Sequence, residues 1–491
     1  MHRWFLLSTI LISLVPSGCS LFQDDSAIGA DDFEGRTIRV ALHHGQKDGK
    51  EWFEVRGLLD EGAWIWPLEP RRCPPSRRFE PWEPLGLYRA SVVRGEFDLV
   101  PYSYGFCSVF GEWLTTDDAK QHPDKVFEES IRVPKFRGEC RLRIEKRDRE
   151  NHFVPLFETP LDLASVPERT VAPSADVTEF GVRGDAGAGV DIVFLSEGYA
   201  ESERGKFLGD VERLGEALFQ VEPYRSLRSE IELRAVFVPS KVTGVSKPDQ
   251  GIERDSAFGC RYSTFGLPRY VLTLEDERVR TAASAVPYDA IVILLNDSEY
   301  GGGGIFEQYC VVAANSPVAS YLLIHEFGHS FAGLGDEYYT SPVAYNDFVA
   351  QNVEPWEPNV TALLDPAGPK WRDLVDGSTV IPTKWGKSEY ENIQKDIRER
   401  EAKWREEGVE SGEIAQRAAA WRADRLAQAL APKEVVGAFE GALYASKGLY
   451  RPEVDCIMFR REATRYCQVC ERAIRRQIER ASLDRASWNG E

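Results

Sequence analysis

The chain has 491 residues, enough for two domains with a sizeable core, and its 43% hydrophobic and 28% charged residues are ordinary for a globular protein. A net charge of −19 argues against nucleic acid as a partner and against a polybasic membrane contact, and it fits a soluble acidic enzyme.

At the N-terminus, His2-Arg3 precede the apolar run Trp4 to Val15, followed by Pro16-Ser17-Gly18-Cys19. The run is too short for a stable anchor and reads as an export signal over residues 1–18. Ser17 and Gly18 before Cys19 resemble a bacterial lipoprotein processing site, although Pro16 stands where an aliphatic residue is usual. The expectation is an exported bacterial protein, either lipid-anchored to the cell envelope through Cys19 or conventionally cleaved and secreted. Residues 19–35 then form a tether, and Cys19 is the only membrane contact expected.

From 36 to 170 the pattern is β. Apolar and polar residues alternate at Thr37-Ile38-Arg39-Val40-Ala41-Leu42 and at Cys140-Arg141-Leu142-Arg143-Ile144, with Pro and Gly between short runs. A sandwich-like all-β N-terminal domain follows, serving as a binding module or as a brace. Residues 171–189, rich in Gly, Ala and Asp, read as a linker.

The period changes at Val190. Val190 to Leu195, Ile231 to Val238 and Ala290 to Leu295 read as buried strands. Phe207, Val211, Leu214 and Leu218 share one face of a helix between the first two. Strand–helix–strand order predicts an α/β (α+β) catalytic domain over 190–486. Glycines 301–304 and Ile305 to Ala314 then precede the apolar run Val318 to Ile324, a buried helix. No Lys-Ser/Thr follows these glycines, so they are not a phosphate loop.

That helix continues into His325-Glu326-Phe327-Gly328-His329. Residues four apart share a helix face, so both imidazoles can hold one metal ion, with Glu326 within reach of a metal-bound water. Two His, one oxygen ligand and an open fourth position suit catalytic Zn²⁺. A merely structural helix would bury two His and a Glu at high cost. None of the seven His lies beyond His329, so a third His downstream is excluded. In the extended HExxHxxGxxH pattern the third ligand stands three residues after the helix-breaking Gly. Here that Gly is Gly333, displaced by one, and three beyond it is Asp336. Asp336 is the expected third ligand, Glu337 the alternative, and a distant Glu a third option.

Residues 387–432, dense in Glu, Lys, Arg and Ala, form a helical excursion, either a solvated hairpin or a lid over the cleft. Met458, the only Met besides the initiator, lies in Cys456-Ile457-Met458 and fits a Met-turn beneath the metal; core filler is the alternative. Tyr450, just upstream, is the candidate oxyanion donor, or else a core tyrosine. Without Cys19 an even set of cysteines remains, which in an exported protein predicts disulfides, with Cys260 and Cys310 placed to clamp the glycine-rich segment. Cys456, Cys467 and Cys470 have a second reading, as ligands of a structural zinc.

Several of these stretches together resemble one family. Tyr300-Gly301-Gly302-Gly303-Gly304-Ile305-Phe306, the HEFGHSFAGLGDEYY run, Pro355-Trp356-Glu357-Pro358-Asn359-Val360-Thr361, the Cys456-Ile457-Met458 triplet and Cys467-Gln468-Val469-Cys470 resemble the IgA-peptidase family of secreted, metzincin-like bacterial zinc metallopeptidases. The resemblance extends to Phe110-Gly111-Glu112-Trp113-Leu114-Thr115-Thr116-Asp117 and covers most of the mature chain. It implies a zinc-dependent endopeptidase with His325 and His329 as ligands and Glu326 as catalytic residue; it does not imply IgA as substrate. It also implies that the glycine-rich segment is an edge strand recruiting extended substrate by strand addition, a flexible hairpin turn being the alternative. The expected function is hydrolysis of extracellular proteins or peptides, with Glu326 activating a zinc-bound water. The rivals are an exported zinc amidase acting on cell-wall peptides and a non-catalytic surface binding protein, which the intact Glu326 disfavours.

Overall fold

The computed structural model describes residues 33–62, 85–95, 98–169, 175–180, 189–339, 352–430 and 434–486. The expected export segment, Cys19, Cys73 and most of the expected tether lie outside them.

Seven antiparallel strands open the chain: β1 (Phe33–Lys47), β2 (Lys50–Gly62), β3 (Tyr88–Arg94), β4 (Leu99–Phe106), β5 (Val126–Phe136), β6 (Cys140–Arg147) and β7 (Phe153–Leu161). They form two sheets, ordered β2-β1-β5 and β4-β3-β6-β7, with two short helices, α1 (Val109–Leu114) and α2 (Asp117–Gln121), between β4 and β5. Alternation explains the layering. Leu142 and Ile144 of β6 point inward and meet Val40 and Leu42 of β1 in a shared core. Arg141 and Arg143, one residue out of phase, pair with Glu158 and Asp98 on the outer face.

The second region is a mixed α/β unit. A six-stranded sheet runs β12-β13-β11-β9-β10-β8, from β8 (Asp176–Glu179), β9 (Val190–Glu197), β10 (Ile231–Phe237), β11 (Ala290–Leu295), β12 (Gly302–Ile305) and β13 (Tyr309–Ala313). The four central strands are parallel, and both edge strands are antiparallel to their neighbours. Strands covered on both faces lose alternation, and every residue of β9 and β10 is buried. Helix α3 (Arg204–Leu218) buries Phe207, Val211, Leu214 and Leu218, the face the spacing predicts. It packs on α5 (Ala319–Ala332), which lies along β12 and β13 and touches α8 (Gln468–Ala486). Helices α6 (Lys387–Glu406) and α7 (Ser411–Ala429) make the charged hairpin, and β14 (Phe439–Ala442) and β15 (Ala445–Arg451) make a small β-hairpin. No helix among the described residues is long and apolar enough to cross a membrane.

Two expectations need correction. Residues 176–179, read as linker, are strand β8, paired with β10 through Asp176↔Phe237 and Glu179↔Arg234. The disulfides are absent among the described residues, where Cys107, Cys140, Cys260, Cys310, Cys456, Cys467 and Cys470 are all free. Cys260 and Cys310 are apolar filler in the main core instead of a clamp.

The two regions share packing and charge. Phe110 and Trp113 of α1 belong to the same hydrophobic cluster as β9 and α5. Helix α4 (Asp276–Ala283) packs against both β9 and β5. At the junction the buried Glu61 meets Arg132 at 3.0 Å and Arg39 at 3.5 Å and accepts a hydrogen bond from Tyr288 at 3.3 Å. Replacing Glu61 by Ala removes the buried carboxylate that Arg39 and Arg132 share, so unfolding free energy should fall by about 3–5 kcal/mol in urea titrations. A loss below about 1 kcal/mol would mean that water reaches this junction.

Candidate functional site

Helix α5 ends at Gly333, whose left-handed backbone (φ 61°) suits glycine. The amide of Gly333 bonds to the His329 carbonyl at 3.0 Å, and that of Leu334 to the Gly328 carbonyl at 3.2 Å. This reversal brings Asp336 back beside the helix. His325 Nε2, His329 Nε2 and Asp336 Oδ1 then form a triangle with all three sides 3.2 Å.

Ring orientation follows from the neighbours. Nδ1 of His325 lies 3.2 Å from the Ile457 carbonyl, and Nδ1 of His329 lies 2.5 Å from the Leu334 carbonyl. A carbonyl only accepts, so each Nδ1 carries the proton and each Nε2 is left with a lone pair facing the triangle. Asp336 Oδ1, also buried, receives no hydrogen bond. Three lone-pair atoms facing one another need a cation or added protons. Ligand atoms about 2.0–2.1 Å from a tetrahedral zinc are about 3.3 Å apart, so the donor set fits that ion. Protons are the alternative cation: burial opposes a charged His329, but Asp336 outweighs it and pushes the ring up to about 9. Burial alone would raise Asp336; the two imidazoles instead hold it well below the usual carboxylate range.

Asp336 is fixed from its other side. Tyr444 donates to Oδ2 at 2.6 Å, and the Tyr338 and Tyr444 hydroxyls are 3.1 Å apart. Because Tyr444 spends its hydrogen on the carboxylate, it accepts from Tyr338, giving a chain of donors that ends on Asp336. Leu443 and Tyr444 form the tip of the β14–β15 hairpin, with positive φ at both, and their amides bond to the Asp336 and Tyr338 carbonyls. Such backbone persists where its surroundings enforce it.

Glu326 faces a cleft lined by Gly302, Gly303, Gly304, His325, His329, Asp336, Tyr300 and Trp356 among others. Burial raises its carboxyl above the usual range, partly offset by the two imidazoles. The glycines make room for it: a Cβ on Gly302 would lie 3.3 Å from Glu326 Cγ, and one on Gly304 2.3 Å from the Glu326 carbonyl oxygen. Gly302 already bonds on its outer edge to Arg269 and Val271. Gly304, two residues along the same edge, lines the cleft.

Met458 is fully buried beneath the helix, where a Cβ on Gly328 would be 3.1 Å from its Sδ. The other expected site residues lie elsewhere. Glu337, the alternative third ligand, turns away from the histidines, and its Oε1 accepts from Asn359 at 3.0 Å. Tyr450 sits on β15, bonded through its backbone to Thr361, and does not line the cleft; the lining hydroxyls belong to Tyr270, Tyr300, Tyr338 and Tyr444. None of the residues lining it comes from the described side chains of α6 or α7.

Two lining residues, Cys107 and Glu112, come from the N-terminal region. Glu112 of α1 accepts a hydrogen bond from Tyr270 at 3.1 Å, and burial pushes its carboxyl up to about 7. No local sequence signal marks it, because its partner is 158 positions away. Its folded pKa exceeds the ordinary 4.5, so the folded protein holds this proton more tightly. That stabilisation is complete below pH 4.5 and is lost as pH rises through about 7. In chelator-treated protein, Glu112→Gln should therefore match the wild-type melting temperature at acid pH and exceed it above about pH 8. A constant difference across that range would show that Glu112 is ionised throughout.

Comparison with known families agrees with this architecture. The profile described as IgA Peptidase M64 matches residues 179–478, and the one described as Peptidase M64 N-terminus matches residues 30–158. No curated protein matches the chain. With the first profile alone spanning more than half of the sequence and containing the whole His–His–Asp triangle, the chain belongs to the IgA peptidase M64 family and is a peptidase.

Proposed function

We propose that the protein is a zinc-dependent endopeptidase acting on extracellular proteins or peptides, with His325, His329 and Asp336 as metal ligands and Glu326 as general base. The observation that carries this reading is the 3.2 Å triangle of His325, His329 and Asp336 ligand atoms with Glu326 beside it in the cleft. Bound zinc would supply a Lewis acid that polarises the scissile carbonyl and acidifies the attacking water.

The chain's own residues do the rest. Glu326 takes a proton from the water as its oxygen bonds to the carbonyl carbon, then delivers it to the nitrogen as the C–N bond breaks. A carboxyl raised by burial lies closer to the working pH and is the stronger base. Leu334 and Ile457 hold the imidazole tautomers, and Tyr444 holds the Asp336 rotamer. Tyr270, Tyr300 and Trp356 offer flat apolar surfaces beside the glycine edge, which suits an extended peptide.

Met458 under Gly328, and the antiparallel edge strand β12 beside the helix, support a metzincin-like reading of the catalytic unit. Export, with or without a lipid at Cys19, belongs to the same proposal.

Glu326→Gln should abolish proteolysis, by at least about a hundredfold in kcat, while zinc content stays at the wild-type level. Asp336→Ala should lose the catalytic zinc, whereas Asp336→Glu retains part of it. Proteolysis surviving in Glu326→Gln would remove that residue from the chemistry, and wild-type zinc affinity in Asp336→Ala would remove Asp336 from the ligand set.

A further inference from the structure

Beneath the triangle lies a second cluster of ligand-type groups that the proposed chemistry does not use. Glu337, Cys456, Cys467 and Cys470 are each 0% exposed, and one ligand atom from each lies within 4.8 Å of all the others. Cys456 Sγ is 3.9 Å from Cys470 Sγ. Glu337 Oε1 is 3.2 Å from Cys470 Sγ and 3.6 Å from Cys467 Sγ.

These separations discriminate between chemistries. A disulfide would bring two sulfurs to about 2.05 Å. Tetrahedral zinc, with Zn–S about 2.3 Å and Zn–O about 2.0 Å, sets S···S near about 3.8 Å and S···O near about 3.5 Å. The observed spacings follow the zinc pattern. Three thiols also cannot all be satisfied by disulfides within this cluster.

The surroundings are built for thiolates. Amides of Met458 and Cys467 point at Cys456 Sγ at 3.4 and 3.2 Å, and that of Cys470 points at Cys467 Sγ at 3.4 Å. Amide donors of this kind stabilise sulfur that carries negative charge. Glu337 Oε2 is buried without a hydrogen-bond partner, which is costly unless a cation takes its lone pairs. Burial opposes the charged form of the fully buried Arg451, and Glu337 is near enough to counter that in part, so the guanidinium offsets some of the cluster's negative charge.

We propose that Glu337, Cys456, Cys467 and Cys470 form a closed, structural zinc site, separate from the cleft. Thiolate-rich donors select zinc over calcium or magnesium, and four protein ligands leave no open position for substrate. The ion ties the start of α8 and the Met458 turn to the peptide that follows Asp336. Its role is to hold the floor of the active site, and it is independent of whether the triangle above is catalytic.

The test is metal stoichiometry on the full chain purified under reducing conditions. Wild type should carry two zinc ions, and a His325→Ala/His329→Ala variant should retain one. Substituting Co²⁺ into that variant should produce a thiolate-to-cobalt charge-transfer band, and Cys467→Ser should reduce the wild-type content by one ion. A folded His325→Ala/His329→Ala protein that holds no metal and gives no such band overturns the proposal, as does mass spectrometry finding a disulfide among the three cysteines. One ion in the wild type, retained by the histidine variant, would uphold the thiolate site and remove the catalytic metal instead.

Discussion

Asp336 and Glu337 are neighbours in a segment outside any helix or strand, and their side chains point to opposite sides. One carboxylate therefore reaches the histidines above, and the other reaches the thiols below. This single alternation fixes the vertical order of the catalytic unit: cleft, triangle, peptide, cysteine cluster. The segment has little freedom to move. Its backbone bonds to Met458 on one side and to Leu443 on the other, and Asn359 clasps Gly335 through both of its amide atoms. A rotation by one residue would exchange the two carboxylates and leave each in a pocket of the wrong size and charge.

Close approach of backbone elements is the second condition. Helix α5 needs glycine on both flanks: Gly304 of β12 on the cleft side and Gly328 of its own sequence over Met458. A glycine inside a helix costs about 1 kcal/mol relative to Ala, so its presence at Gly328 answers to packing. The result is a pair of imidazoles whose second nitrogens meet fixed carbonyls. Little reorganisation then remains when charge develops in the cleft.

The sequence made the helix and its two histidines legible because their information is local: a period of four, an apolar run and a following glycine. Counting from Gly333 also singled out Asp336. Glu337 is harder to assign, since its destination depends on cysteines more than 100 positions away. Tyr450 was placed by proximity to Met458 in the chain, yet it lies on a strand whose hairpin tip, six residues earlier, delivers Tyr444 to the site. Asn359 and Glu112 act through long-range contacts that no periodicity encodes. Strand β8 escaped notice because a four-residue, mostly exposed edge strand carries almost no apolar pattern.

The N-terminal region lends Cys107 and Glu112 to the wall of the cleft, and the Cys107 amide bonds to the Phe306 carbonyl just past the edge strand β12. A wall contributed by another module limits how the gene can be rearranged. Domains joined only by a linker can be exchanged between proteins like interchangeable parts. Here, grafting the catalytic unit onto a different partner would leave one side of the cleft unbuilt and the Glu61 junction without its counterions. The two modules are therefore constrained to be inherited together and to change together along their seam.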